Sequence, residues 1–94
     1  MKIFFKHSNR CPISAGAKIE VDSFLRHYQD GEEFKFDYEL IDVIGNRGRS
    51  SEIAEKYGIT HESPQIIIVD DNDNVKWHAS HRKIDEEGIV NAMK

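Results

Sequence analysis

The sequence predicts one α/β domain over residues 1–94, with a mixed four-stranded sheet flanked by helices. Short apolar runs alternate with stretches of helical periodicity along the whole chain. No repeat, linker or low-complexity segment interrupts this pattern. The 94 residues are 38% hydrophobic and 32% charged, which is the size and balance of one small globular domain.

The first half of the chain predicts a strand, a helix and a second strand. Residues 2–6 are an apolar run with charged ends, as in a short buried strand, and polar residues follow. From Pro12, apolar residues recur at spacings of three and four, so we expect a helix that ends near residues 30–31. Apolar and charged residues then alternate over residues 34–40, and the run continues as a strand to residue 44.

The second half predicts a short helix, a hairpin and a last helix. The elements are a loop over residues 45–51, a helix over 52–57, a strand over 65–69, a strand over 75–79 and a helix from residue 82 onward. Gly58 is a suitable stop for the short helix, and Gly88 interrupts the last one. The order β-α-β-α-β-β-α is that of a thioredoxin-like domain, in which the first two strands are parallel neighbours.

Charge and hydropathy exclude several classes of partner. The formal net charge is −4, whereas phosphate binding needs a basic face, so we expect no nucleic-acid partner. No run approaches the roughly 18 apolar residues of a membrane span, and the N-terminus is charged too soon for a signal peptide. We therefore expect a cytoplasmic monomer that binds no membrane.

The only cysteine, Cys11, stands where the first helix is predicted to begin. Pro12 suits the first position of a helix, which places Cys11 at or near the N-cap. Free backbone N–H groups and the helix dipole favour a thiolate there, and Arg10 and His7 add positive potential. A thiolate attacks disulfides. The alternative is that Cys11 is a small buried hydrophobic residue.

Ser14 occupies the position of the second cysteine in a Cys-x-x-Cys redox pair. Its hydroxyl either donates a hydrogen bond to the thiolate or only binds backbone in the first turn of the helix. In neither case does it replace a resolving thiol. Any covalent reaction of Cys11 must therefore involve a second molecule.

Other chemistries fit the sequence less well. No compact Cys/His pair of zinc-site spacing surrounds Cys11, so we expect no metal and no bound cofactor. A protease-like pair of Cys11 and a histidine would need a substrate cleft, for which so small a chain has little room.

Two segments resemble the monothiol bacilliredoxins, which are single-cysteine thioredoxin-fold proteins associated with the small thiol bacillithiol. The first is FKHS leading into CPIS at residues 5–14, and the second is HESPQ at residues 61–65. The resemblance covers the whole chain. It implies that the bond between Ser63 and Pro64 is cis, that it faces Cys11 and that this pair docks the substrate.

The resemblance also implies a reaction with bacillithiol as co-substrate and bacillithiolated proteins as partners. Cys11 would take bacillithiol from a protein mixed disulfide, and a second bacillithiol would regenerate Cys11. Bacillithiol carries a malate, so Arg47 and Arg49, in the loop before the second helix, are candidate partners for its carboxylates. The alternative for both arginines is a solvated basic loop.

Two further functions remain open. A thioredoxin-fold binding module would hold a partner on the surface around Cys11, Ser63 and Pro64 without turnover. A redox sensor would accumulate bacillithiol on Cys11 as a signal.

Overall fold

The computed structural model describes residues 1–31 and 33–94, and it has a four-stranded sheet with helices on both faces. The strands are β1 (Lys2–His7), β2 (Asp37–Asp42), β3 (Gln65–Val69) and β4 (Val75–Ser80). The helices are α1 (Pro12–Tyr28), α2 (Arg47–Tyr57) and α3 (Glu86–Met93), with a short 3₁₀ helix, His81–Lys83, before α3. Within the described residues, no helix is long and apolar enough to cross a membrane.

The strands lie in the order β2-β1-β3-β4. β1 and β2 are parallel, as the sequence predicts, whereas β3 is antiparallel to both β1 and β4. The ends of β1 and β2 therefore meet the start of β3 at one edge of the sheet, where Lys6 pairs with both Ile41 and Gln65. We call this the thiol edge, because Cys11 follows β1 directly.

Two apolar cores lie on the two faces of the sheet. Ile3 and Phe5 of β1 pack with α1 and α3, whereas Phe4 packs with Ile53 of α2. β3 contributes to both cores and is buried along its whole length. A central strand covered by helices on both faces needs apolar residues at every position, which explains the unbroken run of isoleucines in β3.

The predicted bounds of α1 and β2 are wrong in three places. α1 ends at Tyr28 rather than at residues 30–31, and β2 runs from Asp37 to Asp42 rather than from residue 34 to residue 44. Phe34 is buried, but its ring packs on Tyr28 with the centroids 5.2 Å apart instead of extending the strand. An apolar residue that packs locally on a helix end thus imitates the start of a strand.

The start of α2 was also predicted wrongly, since the helix begins at Arg47 and not at residue 52. The Asn46 side chain accepts a hydrogen bond from the Arg49 N–H at 3.2 Å and caps the helix. Arg47 and Arg49 therefore lie in the first turn of α2 rather than in a loop. Glycine, serine and arginine here form a capped helix start, although the same residues are typical of loops.

The last helix begins at Glu86, with Asp85 as its N-cap, so the prediction from residue 82 was too early. Gly88 does not interrupt α3, because its N–H donates to Asp85 Oδ1 at 2.7 Å. A β-carbon at Gly88 would lie 3.1 Å from the Trp77 ring, so glycine allows α3 to approach β4 closely.

The central position of β3 leads to a stability prediction. Ile67 is fully buried, and truncating it to alanine should lower the free energy of unfolding by about 2–5 kcal/mol. Ile19 on α1 is 67% exposed, so Ile19→Ala should change stability by less than about 0.5 kcal/mol. Urea denaturation of both variants tests this. Equal losses of unfolding free energy in the two variants would contradict the assignment of Ile67 to the core.

Candidate functional site

Cys11 is the N-cap residue of α1, as the sequence predicts. Its backbone is extended, with φ −112° and ψ 121°, and Pro12 occupies the first turn of the helix. The Cys11 carbonyl accepts the first helical hydrogen bond, from the Ala15 N–H at 3.0 Å. The thiol is free and half-buried. It therefore lies where the positive end of the helix dipole favours a thiolate.

Ser14 joins the first turn of α1 to the end of β1. Its side chain is fully buried, and its Oγ accepts a hydrogen bond from the Ser8 N–H at 2.9 Å. The same Oγ lies 3.0 Å from His7 Nδ1. Within residues 1–31 and 33–94, Ser14 makes no hydrogen bond to the Cys11 sulfur. The structure thus fits the second interpretation of Ser14, in which the hydroxyl binds local backbone.

His7 and Arg10 flank the turn that carries the thiol. His7 ends β1, and burial, together with the Lys18 ammonium, lowers its pKa. The Ser14 contact and nearby carboxylates act in the opposite direction but do not cancel this effect. Arg10 is exposed on the turn, where its N–H donates to Ser8 Oγ at 3.3 Å. His7 therefore has a structural contact in the loop, whereas Arg10 adds positive potential at the surface.

Ser63 and Pro64 lie on the thiol edge at the start of β3. Their peptide bond is cis, as the resemblance implies. Pro64 is buried, and its carbonyl accepts a hydrogen bond from the His81 N–H at 2.9 Å. The Ser63 hydroxyl is buried without a partner among the described residues. The segment that precedes β3 is thus tied to the end of β4.

A buried lysine and a histidine meet on the α2 side of the same edge. Lys6 is fully buried, and its Nζ lies 3.1 Å from His61 Nδ1. Burial lowers the pKa of Lys6. Burial also lowers the pKa of His61, and the neighbouring Lys6 ammonium lowers it further. An ammonium at Lys6 can only donate, and in that state Nδ1 of His61 accepts while the neutral ring carries its proton on Nε2.

The two candidate arginines have different surroundings. Arg49 donates to both carboxylate oxygens of Glu39 at 2.7 Å and also pairs with Glu52. These contacts raise the pKa of Arg49 and lower that of Glu39. Arg47 is exposed in the first turn of α2. The Arg49 guanidinium thus ties α2 to β2, whereas Arg47 is the arginine that faces solvent at the thiol edge.

Several cavities border the thiol edge, and two of them lie at helix starts, one on each face of the sheet. The α1-side cavity has a volume of about 470 Å³, and its lining includes Pro12 and Ile13, which follow Cys11 directly. The α2-side cavity has a volume of about 330 Å³. It is lined by Val43, Ile44, Arg47, Ser50, Ser51 and His61.

The structure places most of the predicted site residues at one edge, but sequence reasoning missed part of the site. His7, Cys11 and Ser14 lie at the end of β1, and Ser63 and Pro64 lie at the start of β3. Lys6 was assigned only as the charged end of a strand, and His61 only as part of the HESPQ segment that carries the family resemblance. Strand alternation puts Lys6 on the same face as Phe4, and this signal indicated a buried lysine. Within the described residues, no three His, Cys, Asp or Glu side chains cluster as a metal site.

Solved structures share this fold along nearly the whole chain. A candidate oxidoreductase with a thioredoxin fold is 31% identical, with a TM-score of 0.84, and the match covers 99% of this chain and 77% of that one. Thioredoxin 1 from Thermosipho africanus is 18% identical, with a TM-score of 0.66, and the match covers 98% and 89%. The Trx4 domain of ERdj5 is 13% identical, with a TM-score of 0.56, and the match covers 96% and 73%.

These likenesses and the position of Cys11 define a thioredoxin-fold protein with a single thiol at its first helix. The sequence also matches the monothiol bacilliredoxin family BrxC over residues 1–89. The chain therefore belongs to the monothiol bacilliredoxin family. Family and fold together support a redox enzyme, and the predicted fold class is confirmed.

The Ser14 contacts predict a loss of stability on truncation. Ser14→Ala removes the acceptor of the Ser8 N–H and should cost about 1–3 kcal/mol in the free energy of unfolding. The exposed Ser51 of α2 offers the matched change, and Ser51→Ala should stay within about 0.5 kcal/mol of the parent protein. Urea denaturation measures both. If Ser14→Ala left the free energy of unfolding unchanged, the hydrogen bond from the Ser8 N–H would not contribute to stability.

The Lys6 contact predicts how His61 titrates. Both His7 and His61 should titrate below the ordinary histidine pKa of about 6.5. Lys6→Met removes the neighbouring positive charge, so it should raise the pKa of His61 and leave that of His7 unchanged. An NMR titration of the imidazole resonances measures this. A His61 pKa that does not move would show that Lys6 does not act on the ring.

Proposed function

We propose that this protein removes bacillithiol from protein mixed disulfides by a monothiol exchange. The observation that carries the proposal is the placement of the only cysteine of the chain at the N-cap of α1. A lone thiolate can attack a disulfide, but it has no internal partner to resolve the product. The reaction must therefore be completed by a thiol from solution, in the reducing environment of the cytoplasm.

The two exchange steps balance without a further oxidant or reductant. The Cys11 thiolate attacks the bacillithiol sulfur of the mixed disulfide, and the protein cysteine leaves as a thiolate that takes a proton from solvent. Cys11 is then joined to bacillithiol by a disulfide. The thiolate of a second bacillithiol attacks this bond, forms bacillithiol disulfide and releases the Cys11 thiolate. The protein substrate is thereby reduced, and the second bacillithiol is oxidised to the disulfide.

Ser63 and Pro64 are the proposed docking segment for the substrate. They precede β3, which is the antiparallel neighbour of β1, so they lie at the same end of this strand pair as Cys11, which follows β1. A substrate that lies along this segment brings its disulfide towards Cys11. His7 and Ser14 support the thiolate indirectly, because they hold the loop, and Pro12 begins the helix whose dipole acts on the sulfur.

Arg47 is the arginine that we propose for the malate of bacillithiol. It lines the α2-side cavity, and guanidinium groups bind carboxylates with two hydrogen bonds. Arg49 was the second candidate, but Glu39 and Glu52 already occupy its donors. A bacillithiol carboxylate would have to displace one of them, so we assign Arg49 to the support of α2.

Intact-mass spectrometry of a bacillithiolated model protein mixed with this chain tests the exchange. We expect bacillithiol to appear on Cys11 and to leave again when free bacillithiol is added. Cys11→Ala should abolish the transfer completely. A glutathionylated model protein is the comparison that identifies the preferred small thiol, and it should react more slowly.

Two outcomes would contradict the proposal. Stoichiometric capture of the partner without release would favour a binding module around Cys11, Ser63 and Pro64. Stable bacillithiolation of Cys11 that added bacillithiol does not reverse would favour a redox sensor.

A further inference from the structure

The α2-side cavity has the charge of an anion site. Its six lining residues include the Arg47 guanidinium and the His61 imidazole, and none of them is an aspartate or a glutamate. Arg47 is also the first residue of α2, where backbone N–H groups lack partners within the helix and the dipole is positive. A helix start alone does not make a site, but two buried polar groups at this cavity point the same way.

Ser50 is the first of these groups. Its side chain is only 3% exposed, it lines the cavity, and its Oγ has no hydrogen-bond partner among the described residues. Buried hydroxyls in folded proteins nearly always have a partner. The Ser50 hydroxyl is thus a free donor in the wall of a cavity that holds no acidic side chain.

Lys6 is the second group. It is fully buried, and its one hydrogen-bond contact is with His61, a neutral partner that lines the cavity. In the part of the chain that the structure describes, residues 1–31 and 33–94, no carboxylate lies within ion-pair distance of Lys6. Buried charges are normally paired, because moving a charge out of water without a partner has a large cost in free energy. The Lys6 ammonium does not itself line the cavity, but it contacts the lining residue His61 and has no ion-pair partner among the described residues.

We propose that the α2-side cavity binds a carboxylate of the small-thiol co-substrate, with Ser50 and His61 as donors beside Arg47 and with Lys6 as the buried counter-charge. This inference rests on the proposed function, because it takes the co-substrate to be an acidic thiol such as bacillithiol. The bound carboxylate satisfies the Ser50 hydroxyl and supplies the missing anion near Lys6. The cavity lies at the thiol edge, so it binds the acid group while the sulfur reaches Cys11.

The α1-side cavity is larger but has the wrong charge for this ligand. Its lining includes the carboxylates of Glu20 and Asp85, which would repel an acid group, beside Arg82. Much of the remaining wall is apolar, as at Ile13 and Ile84. An acidic small molecule is therefore expected on the α2 side of the sheet.

A binding experiment with L-malate tests the subsite apart from the redox reaction. In an NMR titration of the intact protein, malate should shift the amide resonances of residues 47–51 and of His61, whereas its uncharged dimethyl ester should not. Ser50→Ala removes a hydroxyl that has no partner, so the fold should tolerate it, but malate affinity should fall roughly tenfold. Lys6→Met should weaken binding by a similar factor. Shifts that are absent, or equal in all three proteins, would overturn the proposal.

A kinetic experiment with matched arginine variants compares the two cavities. Arg47→Gln and Ser50→Ala should raise the KM for bacillithiol roughly tenfold with little change in kcat. Arg82→Gln, at the α1-side cavity, should leave the KM unchanged. The opposite result would place the acid group on the α1 side and overturn the inference.

The two proposals can fail separately in these experiments. Bacillithiol transfer with an unchanged KM in Arg47→Gln and Ser50→Ala would refute the subsite but leave the proposed function standing. Malate binding that depends on Ser50, without any thiol transfer, would support the subsite and refute the proposed function.

Discussion

The contact between the buried Ser14 hydroxyl and the Ser8 N–H holds the site together. It joins the end of β1 to the first turn of α1, and the same hydroxyl contacts His7. The three residues between Ser8 and Pro12 are thereby held in a tight turn, in which the Cys11 N–H also donates to the Ser8 carbonyl at 3.4 Å. A cysteine at position 14 would offer a second thiol but a much weaker acceptor for that N–H. With serine at position 14, the chain lacks a resolving thiol but has a hydrogen bond that holds the thiol loop.

Having one thiol instead of two determines what kind of chemistry the site can perform. A site with two thiols reduces a disulfide and resolves its own product, whereas Cys11 retains whatever it removes from a substrate until another thiol arrives. The protein must then distinguish the small thiol that completes the reaction. In the proposed function, recognition of that molecule is as necessary as the nucleophile, and this is the role proposed for the buried polar groups beyond the thiol loop.

Local pattern was sufficient for most of the fold. The short apolar strands, the helix after Pro12 and the hairpin around residues 70–74 follow from periodicity and turn residues, and all of them are present, although α1 and β2 are shorter than predicted. The start of α2 could not be found in the same way, because its first turn has the composition of a loop and depends on the Asn46 cap. Phe34 misled the strand assignment for a related reason, since a ring that packs on Tyr28 looks like a strand residue in the sequence.

The thiol itself was predictable, whereas the contact between polar groups on the α2 side was not. Cys11, Pro12 and Ser14 are adjacent in the sequence, but the contact between Lys6 and His61 joins residues that are 55 positions apart. Net charge gave no indication either, because a chain with a formal charge of −4 still places unpaired cationic groups at one edge. The two arginines of α2 illustrate the difference. Arg49 is neutralised by Glu39 and Glu52, and Arg47, two residues away, faces a cavity without carboxylates. The fold therefore pairs one arginine with carboxylates and leaves the other exposed beside a cavity, a distinction that composition and spacing do not contain.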